Sequence, residues 1–196
     1  MTLIPPKVKF SKEAIIAAAF EIARTEGMDH ITIRKVAEKM GSSIAPIYVN
    51  FKDVDELKQA VLLKIRDVSR QMLMTQYDPD PFLNIGIASL KFAREHPVLF
   101  KDLIMNNSRY IKEVQPPIGH ILEQMKQAPE LDGFNDEERM GILFKMQVFQ
   151  LGLSVMDVTG MLPEHFNEER MIRLLESTGN DVIAAARLRK NGDLTK

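Results

Sequence analysis

Apolar residues along this chain recur every three or four positions, the period of an α-helix with one buried face. In the first such segment Ile15, Ala19 and Ile22 repeat between Ser11 and Gly27, residue types suited to start and end a helix. The pattern predicts an all-α protein. Helices are expected at about residues 12–26, 33–40, 44–50, 54–74, 82–94, 97–106, 108–127, 136–160, 164–178 and 180–191.

The stretch from Thr32 to Leu57 predicts two short helices joined by a tight turn, followed by the start of a long third helix. Thr32 suits the N-cap of the first helix and Gly41 suits its end, while Ser42 and Ser43 offer caps for the second. A helix, a glycine-containing turn and a short helix form a helix-turn-helix motif, whose second helix enters the DNA major groove.

Six residues of this stretch fit the spacing A-x-x-x-G-x-S-x-x-x-x-Y-x-x-F-x-x-x-x-x-L. They are Ala37, Gly41, Ser43, Tyr48, Phe51 and Leu57. Over roughly residues 10–60 the chain therefore resembles the tetracycline-repressor (TetR/AcrR) family, and its length and layout also fit. The resemblance implies a homodimeric regulator with a DNA-binding domain at residues 1–55 and an effector-binding and dimerisation domain at residues 56–196. It further implies a repressor that a small, largely apolar effector releases from a palindromic operator.

The chain departs from this family at three positions of the motif. Many members have Gly at the position of Ala45, an aromatic residue or His at Asn50, and Lys at Val54. The glycine lets the backbone approach DNA and the lysine holds a phosphate, so the usual phosphate contacts are expected to differ here. Lys52 can replace part of the missing charge.

The candidate DNA contacts combine charged, polar and apolar side chains. They are Arg34, Lys35, Ser42, Ser43, Ile44, Ala45, Pro46, Tyr48, Asn50 and Lys52. The guanidinium fork of Arg34 matches O6 and N7 of guanine, and Ile44, Ala45 and Pro46 suit contact with a thymine methyl group. Tyr48 resembles the phosphate-contacting tyrosine of the family. For Arg34 plain solvation is the alternative, and Ser43 can serve as a helix cap alone.

Charge is unevenly distributed along the chain. The formal net charge is −1, but residues 1–66 hold 11 Lys+Arg against 8 Asp+Glu. Lys7 and Lys9, in an arm where Pro5 and Pro6 block a helix, add to this basic half. The excess is consistent with phosphate binding, although a solvated tail is an equal alternative for the arm.

The chain is rich in methionine, which fills irregular space and adapts to varied ligands. The chain has 12 Met and no Trp. An apolar effector pocket with few polar anchors is therefore expected, although most of its residues also suit an ordinary core. The candidates are Met72, Phe92, His96, Phe100, Asn106, Tyr110, Met125, Phe144 and Gln147.

The segment from Met140 to Met156 is apolar nearly all round, apart from Lys145, Gln147 and Gln150. Those three polar residues argue against a membrane span. A helix that is apolar on every side is buried on every side, and a second copy of the chain can cover one of them. With the last helices, expected to be divided at Gly179, it predicts a four-helix bundle across a two-fold axis.

Enzymatic chemistry has little support in the sequence. The four histidines are scattered, and there is no G-x-S-x-G and no Gly-rich phosphate loop. No metal site and no cofactor are expected. The absence of cysteine fits a reducing cytoplasm. An activator, a ligand-independent DNA-binding protein and a helical small-molecule-binding module with weakened DNA binding remain the alternatives.

Overall fold

The computed structural model describes residues 10–106, 110, 114 and 117–192, which contain no strand and confirm the all-α prediction. Its helices are α1 (Lys12–Glu26), α2 (Ile33–Lys39), α3 (Ala45–Asn50), α4 (Val54–Met74), α5 (Pro81–Glu95), α6 (Pro97–Lys101), α7 (Ile118–Met125), α8 (Asp136–Val158) and α9 (Glu168–Asn191). The expected N-terminal arm with Lys7 and Lys9 lies outside the described residues.

The chain divides into two compact units. The first comprises Met1–Asp67 with Val98–Val114, and the second comprises Val68–Pro97 with Gln115–Lys196. The chain therefore enters each unit twice, and α4 contributes residues to both. The functional boundary expected at residue 55 concerns where the DNA-binding part ends, and it stays a prediction.

Two side-chain caps and one glycine begin or end helices of the first unit where the sequence predicts, and a third expected cap is absent. The hydroxyl oxygens of Ser11 and Thr32 accept hydrogen bonds from the third residue beyond each of them. Gly41 has a φ of 62°, the left-handed conformation that ends α2 at low cost. Asp53 accepts from the N–H of Glu56, whose own carboxylate accepts from the N–H of Lys52. The expected second cap is wrong: Ile44 precedes α3 without a side-chain cap, and the Ser42 hydroxyl donates to the Ser43 carbonyl.

The core of the first unit lies where α1 packs against α2 and α3. Its fully or nearly buried side chains include Ile15, Ala19, Ala23, Val36, Ala37, Ile47 and Phe51. The apolar stripes predicted from the 3.6-residue period are thus the faces that meet. This packing fixes the angle at which α2 presents α3.

A later segment of the chain completes the first unit. After α6 a π-helical turn, Asp102–Asn106, carries the buried carboxylate of Asp102. That carboxylate accepts a hydrogen bond of 2.8 Å from the backbone N–H of Met28, in the turn that follows α1. Gly27 has a φ of 102°, and a Cβ added there would lie 3.0 Å from the carboxyl carbon of Asp102. A side chain at residue 27 would therefore strain the backbone and crowd this contact.

In the second unit α5 packs against α7, α8 and α9. The contact with α9 is close, because a Cβ added at Gly86 would lie 2.5 Å from Cδ2 of Leu175. The expected division of the last helix at Gly179 is wrong. α9 runs unbroken from Glu168 to Asn191, and buried Gly179 lies inside it, with side-chain atoms of Met146 and Phe82 at 3.8 Å from an added Cβ.

Asn84, on α5, is a buried polar residue with every side-chain function used. Its carbonyl oxygen accepts from the N–H groups of Tyr77 (2.7 Å) and Asp78 (3.1 Å). Its amide donates to the carbonyl of Thr75 at 3.0 Å. One side chain thus forms hydrogen bonds with three backbone groups of the segment between α4 and α5.

Ion pairs join α5 to both long helices of the second unit. Lys91 and Arg94 bind the carboxylate of Glu168 at 2.8 and 3.0 Å, and Arg94 also binds Asp157 at 3.1 Å. The hydrogen bond from Lys91 holds the pKa of Glu168 below its usual value. These partly exposed pairs add modestly to stability.

Candidate nucleic-acid interface

The short helix α3 has one side buried in the core of the first unit and the other side exposed. Ile47 is fully buried, whereas Ile44 is 46% exposed, Tyr48 54% and Val49 83%. Ala45 is exposed as well. We call Ile44, Ala45, Tyr48 and Val49 the α3 face. Val49 is not among the contacts predicted from the sequence, and its exposure follows from its position almost opposite Ile47 at about 100° per residue.

Two of the predicted polar contacts are already occupied within the unit. The Nδ2 group of Asn50 donates to the carbonyl of Pro46 at 2.8 Å. The Lys35 ammonium binds the carboxylate of Glu26 and holds the pKa of that carboxyl below its usual value. Neither side chain is therefore as available to DNA as its position suggests.

Other basic side chains of the first unit remain accessible. Arg34 and Lys52 are exposed, and their side chains have no hydrogen-bond or ion-pair partner within the described residues. Lys12, which the sequence analysis did not select, places its ammonium 5.0 Å from the ring centroid of Phe51, at the end of α3. Exposed Ser43 lies just before α3, and Ser42 is half-buried. The candidate interface is thus an apolar helix face with nearby cations.

The candidate effector residues are distributed over both units. Phe100, Asn106 and Tyr110 belong to the first unit, and the other six belong to the second. Met72, Phe100 and Met125 are buried, whereas Asn106, Phe144 and Gln147 are exposed. Phe92 and His96 are half-buried, and their rings meet edge to face at 5.3 Å. The effector site stays a prediction.

A second apolar surface lies on α8, where the sequence predicts burial all round. Ile142, Leu143 and Met146 are buried in the second unit. On the opposite side Phe144 is 66% exposed, Val148 is 59% exposed, and Leu151 follows one turn later. We call Phe144, Val148 and Leu151 the α8 stripe.

Neither a metal site nor a strong membrane feature accompanies these surfaces. In the described parts of the chain, no group of three or more His, Asp or Glu side chains could hold a metal ion. Of the described helices, α8 alone is long and apolar enough to cross a membrane, and a single helix of this kind is weak support for a membrane protein.

Comparisons with known proteins agree with the helix-turn-helix interpretation. No family model matches the chain. An uncharacterized HTH-type transcriptional regulator of Bacillus subtilis, YvkB, is 25% identical over 160 residues, which cover 73% of this chain and 84% of that protein.

Solved structures show the same fold. TetR from Acinetobacter baumannii AYE aligns with a TM-score of 0.51 at 19% identity, covering 91% of this chain and 98% of its own. A variant of that protein in complex with minocycline aligns with a TM-score of 0.55 at 18% identity and the same coverage. SCO7222, a TetR from Streptomyces coelicolor, gives 0.50 at 17% identity, covering 93% of this chain and 96% of its own.

Proposed function

We propose, from the TetR-type fold that these comparisons establish, that this protein is a homodimeric repressor which binds a palindromic operator and is released by a small effector. Regulators of this type are not enzymes. The α3 face carries the proposal, because a bare apolar helix beside accessible cations is suited to the major groove and its phosphates. A DNA-binding regulator of this kind acts in the cytoplasm.

The dimer is proposed to form through the α8 stripe and the exposed side of α9. α9 leaves Leu174 and Leu188 exposed, so both long helices have uncovered apolar residues. In a dimer with a two-fold axis, each of these side chains is buried in both subunits. Full burial of one large apolar side chain stabilises the dimer by about 1.5–3 kcal/mol. Such a dimer can present two copies of α3 to half-sites about 34 Å apart.

Release by an effector is supported by the division of the chain. α4 contributes to both units, so a ligand that favours one position of α4 can change the spacing of the two α3 helices. Such a ligand shifts the equilibrium only by its differential affinity for the two states. The related protein in complex with minocycline supports the existence of a ligand site in this fold.

The experiment measures binding to the intergenic DNA upstream of the chain's own gene by fluorescence anisotropy. We expect a specific complex that weakens steeply between about 50 and 200 mM salt, because phosphate contacts release counterions. Arg34→Ala and Tyr48→Phe should each weaken binding by about 1–3 kcal/mol. Arg70→Ala, which removes an exposed arginine of the second unit, is the matched control and should change little.

A helical ligand-binding module that has lost DNA binding is the second candidate. The internal bonds of Lys35 and Asn50 favour it, because they occupy two side chains that would otherwise face DNA. This candidate gives no specific complex at any modest salt concentration. An activator or a ligand-independent DNA-binding protein gives a specific complex, and a reporter assay with and without the gene separates these from a repressor.

A further inference from the structure

The α3 face presents almost no hydrogen-bonding group. Among its members only Tyr48 carries a polar atom, and the amide of Asn50, on the same helix, donates to Pro46. Most sequence readout in the major groove uses side-chain donors and acceptors. This helix must therefore discriminate bases mainly by apolar contact.

The apolar side chains of the α3 face are arranged in two adjacent rows. Ile44 and Tyr48 are four residues apart, as are Ala45 and Val49, so each pair lies on one line along the helix. Ala45 and Val49 are almost opposite the buried Ile47, and they project furthest from the core. Val49, 83% exposed, is the most exposed large apolar residue in the described part of the chain.

The charges around this face indicate what covers it. From Thr32 to Lys52 the chain carries four basic side chains and one acidic side chain. Arg34 and Lys39 on α2, and Lys52 after α3, are exposed. An apolar protein partner does not need these cations, whereas a duplex places phosphates on both sides of the groove that α3 would enter. Duplex DNA is therefore the occupant that matches both features.

Only one base presents a methyl group in the major groove. Thymine carries its C5 methyl group there beside the O4 acceptor, whereas the other bases are distinguished by their donors and acceptors. Valine or isoleucine against cytosine N4 or guanine O6 would bury a polar group without a partner. The same side chain against a thymine methyl buries two apolar surfaces.

We propose that Ile44, Ala45 and Val49 read thymine methyl groups, so that each operator half-site has T·A pairs where these side chains face it. The inference rests on the proposed DNA-binding function and specifies how the operator is chosen. It assigns a specificity role to Val49, which was not among the DNA contacts predicted from the sequence.

The first experiment identifies the operator by selecting bound duplexes from a random pool and footprinting them. Each thymine of the half-site is then replaced by deoxyuridine, which removes the methyl group and keeps the pairing. We expect one or two positions per half-site to lose affinity by about fourfold each, the effect of one buried methyl group. Symmetric replacement in both half-sites should lose about 15-fold, and replacements elsewhere should be neutral.

The second experiment asks whether the α3 face senses those methyl groups. Val49→Ala should weaken binding to the thymine operator and should remove the penalty for deoxyuridine at the position it faces. Leu63→Ala is the matched control, because it shortens an exposed apolar side chain on α4 and should leave the penalty intact. Thermal unfolding of each variant verifies that the fold is unchanged.

The outcomes separate this inference from the proposed function. A specific operator that tolerates deoxyuridine at every position within twofold would overturn the methyl readout and leave the regulator intact. A penalty that persists undiminished in Val49→Ala and Ile44→Ala would also overturn it, because DNA shape would then carry the effect. Failure to select any specific duplex removes the proposed function itself and this inference with it.

Discussion

The α3 face and the α8 stripe both expose large apolar side chains, but they differ in length and in surroundings. The α3 face occupies a helix of 6 residues beside several accessible cations. The α8 stripe lies along a helix of 23 residues, and α9 of the same unit also leaves two leucines exposed. A short apolar face among cations, such as the α3 face, suits a DNA groove between phosphates. A long apolar surface, such as the α8 stripe, suits the same pair of helices in a second copy of the chain. Exposure alone therefore does not define a partner; the neighbouring charges and the length of the surface do.

The largest effect is expected from a charge within the α8 stripe. Phe144→Asp with Val148→Asp should convert a dimer into monomers, because each charge would be buried twice at the two-fold axis. The cost should be about 6 kcal/mol or more per dimer, from the lost burial of two large side chains in each of the two subunits. Sedimentation velocity measures the change, and specific DNA binding should disappear with the dimer.

Leu63→Asp provides the control for that prediction. Leu63 is about half exposed on α4, so the same charge there should leave the mass of the dimer unchanged. If the double variant remains a dimer, the α8 stripe is not the dimer interface. The comparison between the α3 face and the α8 stripe would then fail, because the α8 stripe would have no assigned partner.

An intermediate effect is expected from Asn84→Ala, which acts on the fold and on neither surface. The variant leaves the N–H groups of Tyr77 and Asp78 and the carbonyl of Thr75 without their partner. The free energy of unfolding should fall by about 2–3 kcal/mol, which lowers Tm by roughly 4–10 °C. Calorimetry measures this shift. At 20 °C both DNA affinity and dimer mass should stay as in the parent chain, and a loss of either would show that surface and fold are not separable.

The smallest effect is expected from the ion pairs of the second unit. The pKa of Glu168 is held below its usual value by the hydrogen bond from Lys91, so this stability is present above the unfolded pKa of about 4.3. This stabilisation is lost as the pH falls through the pKa that Glu168 has in the folded protein. Glu168→Gln should lower Tm by about 1–2 °C at pH 7 and by nothing measurable near pH 2. If Glu168→Gln lowers Tm by the same amount at both pH values, the effect comes from packing and not from the charge of Glu168. Dimerisation through the apolar stripe should not follow this pH dependence.

Local chemistry made much of the fold predictable. Ser11, Thr32 and Gly41 have the roles that their residue types indicate, because a cap depends on a few neighbouring backbone groups. Gly179 misled the prediction because its place in α9 is decided by packing beside Met146 and Phe82. A glycine inside a packed helix cannot be distinguished from a helix end by sequence alone.

The candidate interface was predictable in position and less so in detail. The spacing of the motif predicts that α3 faces DNA, which stays a prediction, and Ile44, Ala45 and Tyr48 are exposed, as that role requires. That Lys35 and Asn50 bond within the unit depends on distances between side chains, which spacing does not give. Val49 could have been found from the helical period once Ile47 was identified as core.

The hydrogen bond between Asp102 and the N–H of Met28 restricts where the chain can be truncated without disrupting the first unit. A fragment that ends with α4 would lack Leu99, Phe100 and Leu103, which are buried in the described structure, and would leave that N–H unsatisfied. The first unit is thus discontinuous along the chain. Exchanging it between relatives at a single junction would separate two segments of one compact unit, and exchanging the whole unit requires three crossovers.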